Sequence, residues 1–237
     1  MRLDKLLSRL GAASRSGCRD LLRAGRVKVD GETVKDGSRE VAPHALVTLD
    51  GETLDTRMTR HLMMNKPAGV LTALEDRKCQ TVMDLLPPVY ISLDCMPVGR
   101  LDKDTTGLLL FTTDGELAHR LLSPARHVDK VYEAEVEGEL TQEDAARFAA
   151  GIPLKDFTAL PAKLSILSPA LARVTVREGK FHQVKRMFGA VGKPVMALRR
   201  LSFGPIGLDA SLKPGEYREL TEKETAALYA AAGLEHE

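Results

Sequence analysis

The sequence has no tryptophan and only six phenylalanines and four tyrosines in 237 residues, so any sizeable core has to be built from Leu, Val, Ala and Met. No apolar run approaches the roughly 18 residues a bilayer-spanning helix needs. The charged start "MRLDK" lacks the apolar segment of a secretory signal, so a cytoplasmic location with no membrane partner is expected. Cysteine is scarce: Cys18, Cys79 and Cys95 are odd in number and carry no CxxC or Cys/His spacing. That argues against a disulfide framework or a zinc site, and buried thiols are expected instead. No GxGxxG follows a strand pattern, and there is no P-loop, HExxH or GxSxG, which sets aside the common dinucleotide, nucleotide-hydrolysing, zinc-protease and serine-hydrolase chemistries. Internal repeats and low-complexity tracts are also missing.

The net charge is only +1, but it is unevenly spread. Residues 1–30 hold eight Lys/Arg against Asp4, Asp20 and Asp30, and residues 178–200 hold six against Glu178. Two local basic patches in a near-neutral chain suit a polyanion bound at defined places, because phosphate contacts need local charge rather than a high overall pI. Solvated helix faces are the plainer explanation of either patch alone.

Leu3, Leu6, Leu7 and Leu10 recur at helical spacing, with Arg2, Lys5 and Arg9 on the other side. Ser14 is placed to cap a second helix that ends at Gly25, turns Cys18, Leu21 and Leu22 inward and aligns Arg15, Arg19 and Arg23 on one face. "RVKVDGETV" is a hairpin around Asp30-Gly31, and "ALVTLDGETL" adds another strand pattern. A compact unit is therefore expected over residues 1–56, then a polar linker over 57–61 and a second domain over 62–237. In that domain "GLLLFTT" suits a buried strand and Asp114-Gly115 starts a helix, while "KVYEAEVEG" alternates as a half-buried strand with Tyr132 inward. Thr141 and Gly151 bracket a helix, and Thr221 with Glu224 forms a capping-box pattern. Strands interspersed with helices, without strict βαβ alternation, indicate an α+β fold with a mixed, largely antiparallel sheet and flanking helices.

The tetrapeptide "RLDK" occurs at 2–5 and again at 100–103. Asp4 falls in the first turn of a helix, where a negative charge complements the dipole. Asp102 falls in a loop between Gly99 and "TTG", braced by a buried strand and flanked by Arg100 and Lys103. A cation in reach favours the ionised carboxylate, the form a nucleophile needs. In "EGKFHQVKRMFGAVGK", Phe181, Val184, Phe188 and Val191 share one helical face and His182, Lys185 and Arg186 another, so Lys185 or Arg186 could be the counter-ion of Asp102. His182 alone reads as a structural histidine.

"RLDKLLSRLG" with "SRSGCRDLLRAGRVKVDG" resembles the S4 RNA-binding domain. "NKPAGV", "GRLDKDTTGLLLFTTDG", "KVYEAEV", "EGKFHQVKRMFGAVGKPVMALRR" and "GEYRELTEKE" are similar to the RsuA-type pseudouridine synthases, the family of ribosomal small subunit pseudouridine synthase A. The resemblance implies an S4-like module followed by the pseudouridine synthase fold. The implied reaction breaks the C1′–N1 bond of an RNA uridine, turns the base and rejoins it through C5, without cofactor or metal. By resemblance Asp102 is the nucleophile, Tyr132 stacks on the base and Lys185 is the basic partner, while Arg100, Leu198, Thr105 and Lys130 bind substrate. Arg2, Lys5, Arg15, Arg19, Arg23, Arg26, Lys28 and Arg186 would hold RNA. The implied partner is ribosomal RNA, 16S or a small-subunit assembly intermediate, met by a monomer. Alternatives are the same chemistry on large-subunit rRNA or tRNA, a non-catalytic S4-type assembly factor, and a glycosidase, which usually needs a second carboxylate at a set distance, for which the motif offers no obvious partner.

Overall fold

The computed structural model describes residues 1–235 and divides into two compact units. The first takes in Met1–Arg60 and Leu86–Cys95. Its helix α1 (Leu3–Arg9) buries Leu3, Leu6 and Leu7, the stripe the spacing predicts. Ser14 Oγ accepts the Gly17 N–H at 3.2 Å and opens α2 (Arg15–Arg23), which turns Cys18 and Leu22 into the core. Strands β1 (Val27–Val29) and β2 (Glu32–Thr33) meet through Asp30-Gly31, and β3 (Val47–Leu49) and β4 (Glu52–Thr53) through Asp50-Gly51. All four turn residues have positive φ, at 51, 85, 54 and 88°, the tight hairpin whose twist matches its strands. The second Asp-Gly thus makes a second hairpin where the sequence reading has only a strand, and the sheet runs β2-β1-β3-β4.

Two boundaries differ from expectation. A short helix, α3 (Pro88–Ser92), returns to this first unit, where Arg9 donates to Leu93 O at 3.2 Å and to Asp94 at 2.9 Å. The stretch 55–60 has no regular structure, yet Asp55 holds Arg57 at 2.5 Å and Arg60 at 2.6 Å, and Arg60 is buried. Those two guanidinium groups keep the Asp55 carboxyl well below the usual range. His61, assigned to the linker, is instead the first residue of a strand.

In the second unit β5 (His61–Lys66) is buried along its whole length, and its polar members are matched: His61 Nδ1 lies 2.8 Å from Thr112 Oγ1, and Asn65 donates to Leu212 O at 2.8 Å. The remaining elements are β6 (Met96–Pro97), β7 (Thr106–Thr112), α4 (Gly115–Leu122), β8 (Lys130–Val136), α5 (Gln142–Ala150), β9 (Lys163–Ser168) and β10 (Leu171–Val176). After these come α6 (Gln183–Ala190), β11 (Val195–Phe203), β12 (Ile206–Gly207), β13 (Tyr217–Glu219) and α7 (Glu222–Ala232). The sheet order is β13-β5-β7-β11-β8-β10-β9, with β6 on β7 and β12 on β11. Among the described residues β7/β11 is the parallel pair and the other strand pairs are antiparallel. The sheet is therefore mixed and largely antiparallel.

Leu108 and Leu110 of β7 join Met63, Val98, Leu117, Leu121, Phe203 and Leu228 in one core cluster, while Leu109 and Phe111 are buried on the alternate side. Each such side chain contributes roughly 1.5–3 kcal/mol, so β7 is an anchored base for the loop that precedes it. Gly107 lies against β11, opposite Arg200, with φ at 96°.

Helix α7 is fastened by an ionic cluster. Arg218 donates to both oxygens of Glu224 at 2.8 Å and to Asp209 at 2.6 Å. Arg218 holds the Glu224 carboxyl at about 2, and Ser211 with Arg218 does the same for Asp209. Both carboxyls are depressed below their unfolded values near 4, so their contribution is complete above that range and lost as pH falls toward 2. Protection of the 222–232 amides, taken relative to their intrinsic exchange rate at each pH, should fall on acidification from pH 5 to 2, with a shallower pH dependence in Glu224→Gln. An equally steep response in that variant would contradict the assignment.

Candidate active site

Three adjacent strands converge on one cleft. Asp102 sits in the loop entering β7, Leu198 lies on the neighbouring β11, and Tyr132 is on β8 opposite Arg200 in the register. The cleft is lined by Arg100, Asp102, Thr105, Tyr132, Lys185 and Leu198 among others. Tyr132 and Leu198 are buried, so they form an apolar wall, while Arg100 is exposed at the rim.

The cation on Asp102 is Lys185, whose Nζ is 3.3 Å from Oδ2. It is shared: the same ammonium is 2.5 Å from Asp104, and that bond holds the Asp104 carboxyl below its ordinary range. Asp104 was not singled out in the sequence. Of the other candidate cations, Arg186 pairs with Asp156 and lies 5.1 Å from the Phe157 ring, and Lys103, adjacent in sequence, reaches Cys79 Sγ at 3.5 Å. Cys79 is accordingly half-exposed, whereas Cys18 and Cys95 are the buried thiols expected.

The helix α6 starts later than its periodicity suggests. His182 precedes it in the left-handed region, φ 49°, which takes Phe181 off the helical face and leaves it 76 % exposed instead of packed. Gln183, Val184, Met187 and Phe188 form the buried face, and Phe188 meets Phe148 of α5 with centroids 4.8 Å apart. The left-handed turn also aims His182 at the site, with Nε2 3.4 Å from Asp102 Oδ1. The sequence reading missed this role, because no periodicity signals a single left-handed residue.

The loop itself is clamped from below by Lys66. Its Nζ donates to the carbonyls of Pro67 at 2.9 Å, Lys103 at 3.3 Å and Thr105 at 3.0 Å, and the side chain is fully buried. Thr72 adds a second tie, donating to Leu101 O at 2.9 Å and accepting from Leu101 N at 3.2 Å. Thr105 N donates to Asp102 O at 3.1 Å, and its own Oγ1 is buried without a hydrogen-bond partner among the described residues. Burial pushes the Lys66 ammonium down to about 8. Since the unfolded chain holds that proton up to about 10.4, stability rises with pH between those values. Lys66→Met should flatten part of that rise in denaturant titrations at pH 8 and 10 and speed amide exchange at 103–105. Unchanged exchange would remove the clamp from the account.

Lys130 is not at the cleft: it is buried, donates to Val128 O at 2.8 Å, lies 5.0 Å from the Phe203 ring, and burial with Arg200 nearby lowers it to about 8. A second carboxylate does line the cleft, Glu178, but it accepts from Leu160 N at 2.8 Å and Gln183 at 3.0 Å. Committed to those donors, it is poorly suited to the acid–base role a glycosidase needs. Among the described residues no group of three or more His, Cys, Asp or Glu is placed to hold a metal, and no helix is long and apolar enough to cross a membrane.

In the first unit, Arg2, Lys5, Arg15 and Arg19 surround a separate cleft together with Asp4. Arg2 is bonded to Asp4 at 2.7 Å, which lowers the Asp4 carboxyl and fits its reading as a structural residue in the first turn. Arg23 and Lys28 are exposed outside that cleft, and Arg26 is neutralised by Asp50 at 2.5 Å.

The pattern of the family described as RNA pseudouridylate synthase matches residues 60–190, and that of the S4 domain residues 1–53. The chain is 47 % identical over 230 residues to the uncharacterized RNA pseudouridine synthase YtzG of Bacillus subtilis, covering 94 % of this chain and 96 % of the relative. It is 42 % identical over 233 residues to ribosomal small subunit pseudouridine synthase A of Escherichia coli, covering 96 % of this chain and all of that one (100 %). A solved crystal structure of a pseudouridylate synthase superposes with a TM-score of 0.69 at 36 % identity, over 96 % of this chain and 99 % of the other.

Proposed function

From the premise that the chain belongs to the RsuA family of RNA pseudouridine synthases, isomerases of RNA uridine to pseudouridine, we propose that its target is a uridine of small-subunit ribosomal RNA and that Asp102 is its nucleophile. The observation that carries the role of Asp102 is the convergence of Lys185 at 3.3 Å and His182 at 3.4 Å on one carboxylate in a cleft walled by Tyr132 and Leu198.

A uridine inside an RNA stack has to be extruded before its base can be turned, at a cost of a few kcal/mol. Stacking on Tyr132, with Leu198 behind it, offsets part of that cost, and Arg100 at the rim holds the nucleotide out. Asp102 bonds to the nucleotide and C1′–N1 breaks; the base rotates, C1′–C5 forms, and the bond to Asp102 is broken again so that its carboxylate is returned free. The C5 proton is lost with help from Tyr132 and N1 acquires one, so the product is an isomer of the substrate. Thr105 Oγ1, buried without a partner, suits a substrate oxygen once the nucleotide is in place. The cleft bounded by Arg2, Lys5, Arg15 and Arg19 grips RNA backbone, with Arg23, Lys28 and Arg186 as further phosphate contacts. The small-subunit target rests on relatives that carry that name along nearly their whole length, in Yersinia pestis at 44 % identity and in Escherichia coli at 42 %.

The test supplies C5-tritiated uridine in small-subunit rRNA, large-subunit rRNA and tRNA, free and as ribosomal particles. Tritium is expected in the water from the small-subunit RNA alone. Release only from one of the other RNAs would overturn the target.

A further inference from the structure

The chain spends its aromatic residues sparingly, and Phe111, Phe148, Phe188 and Phe203 are fully buried, yet Phe181 stands 76 % exposed. It is also held in place. Its ring stacks on the His182 imidazole with centroids 3.8 Å apart and planes inclined by 17°. His182 in turn contacts Asp102 at 3.4 Å, and its left-handed backbone fixes the direction of both rings. The result is a two-ring stack whose inner member touches the reactive carboxylate and whose outer member keeps a free face. Cations stand on both sides in sequence: Lys180, 3.8 Å from the Phe157 ring, and Lys185.

We propose that Phe181 is a stacking platform for the nucleotide next to the target uridine. This rests on the reading of the site as a uridine isomerase. When a uridine leaves its stack, the neighbouring base loses a partner; an exposed ring fixed beside the site replaces it. An aromatic face accepts any base, so this contact supplies affinity without reading sequence, and the phosphate beside it lies within the field of the neighbouring cations. Phe181 acts before chemistry, in holding the opened strand, and is a positioning residue.

The experiment uses the full chain and C5-tritiated small-subunit rRNA, comparing wild type with Phe181→Ala, Phe181→Leu and Phe181→Trp. KM should rise about tenfold in Phe181→Ala, equivalent to about 1.4 kcal/mol, with the loss in KM rather than kcat. Leucine, apolar and of similar bulk, should not restore it; tryptophan should. The ring is exposed, so thermal unfolding should be unmoved by the alanine change. In a substrate with an abasic neighbour the alanine variant and wild type should converge. An unchanged KM in Phe181→Ala, rescue by leucine, or an undiminished alanine effect on the abasic RNA would each overturn the platform. Absence of tritium release by wild type from every RNA would instead overturn the isomerase reading beneath it.

Discussion

Asp102→Asn should bring tritium release from C5-labelled rRNA to background, a loss of about 10⁴-fold or more, at least about 5.4 kcal/mol on the barrier. The amide has the shape of the carboxylate and not its nucleophilic charge. The fold should tolerate the change, because Lys185 keeps Asp104 at 2.5 Å and the backbone of the loop is tied by Lys66 and Thr72 rather than by the Asp102 side chain. RNA affinity should change by only a few-fold, since most phosphate contacts lie elsewhere. Single-turnover assays at saturating enzyme separate the two terms. Release persisting above about one hundredth of wild type, about a hundredfold more than a 10⁴-fold loss leaves, would move the nucleophile elsewhere.

Gly107→Ala should strongly destabilise the second unit. A Cβ there would sit 2.2 Å from the Arg200 carbonyl oxygen and 2.8 Å from its nitrogen, both backbone atoms of a central strand. The φ of 96° adds a conformation that L side chains rarely adopt, itself costing about 1–3 kcal/mol. Relief requires β11 to move away from β7, and Arg200 Nε would give up its 2.7 Å bond to Leu108 O. A loss of at least about 3 kcal/mol is expected, a large part of the roughly 5–15 kcal/mol that holds a typical domain. Activity should fall as well, because one of the strands being separated carries the Asp102 loop at its start and the other carries Leu198. A urea midpoint equal to that of wild type would show that the contact relaxes at no cost.

Much of the fold is legible in the sequence because it rests on local rules. The leucine spacing of α1, the Ser14 and Thr221 caps, the Asp-Gly turns and the alternation of β8 each follow from residues within a few positions of one another. The location of Asp102 in a loop before a buried strand was legible for the same reason. What stayed hidden depends on partners distant in sequence. Lys66 is one such case, because two of the three carbonyls it binds, those of Lys103 and Thr105, lie nearly forty residues away. Asp104 could not be matched to Lys185 before the chain placed them 2.5 Å apart. Lys130 has the composition of a site residue, but the inward side of β8 carries its amine to Val128. Phe181 and His182 fit a helical wheel, and one left-handed residue takes both off it.

The sheet order has a consequence for synthesis. Strand β11, near the end of the chain, is inserted between β7 and β8, which emerge from the ribosome long before it. Until Phe203 has been made, β7 and β8 are edges with unsatisfied backbone groups, and the walls of the cleft are not joined. The reactive carboxylate is therefore present on the nascent chain well before the pocket that would use it, and closing that gap is a long-range step of the kind that folds slowly. A chain made only as far as α6 carries Asp102, Tyr132 and Lys185 but not the strand that joins β7 to β8.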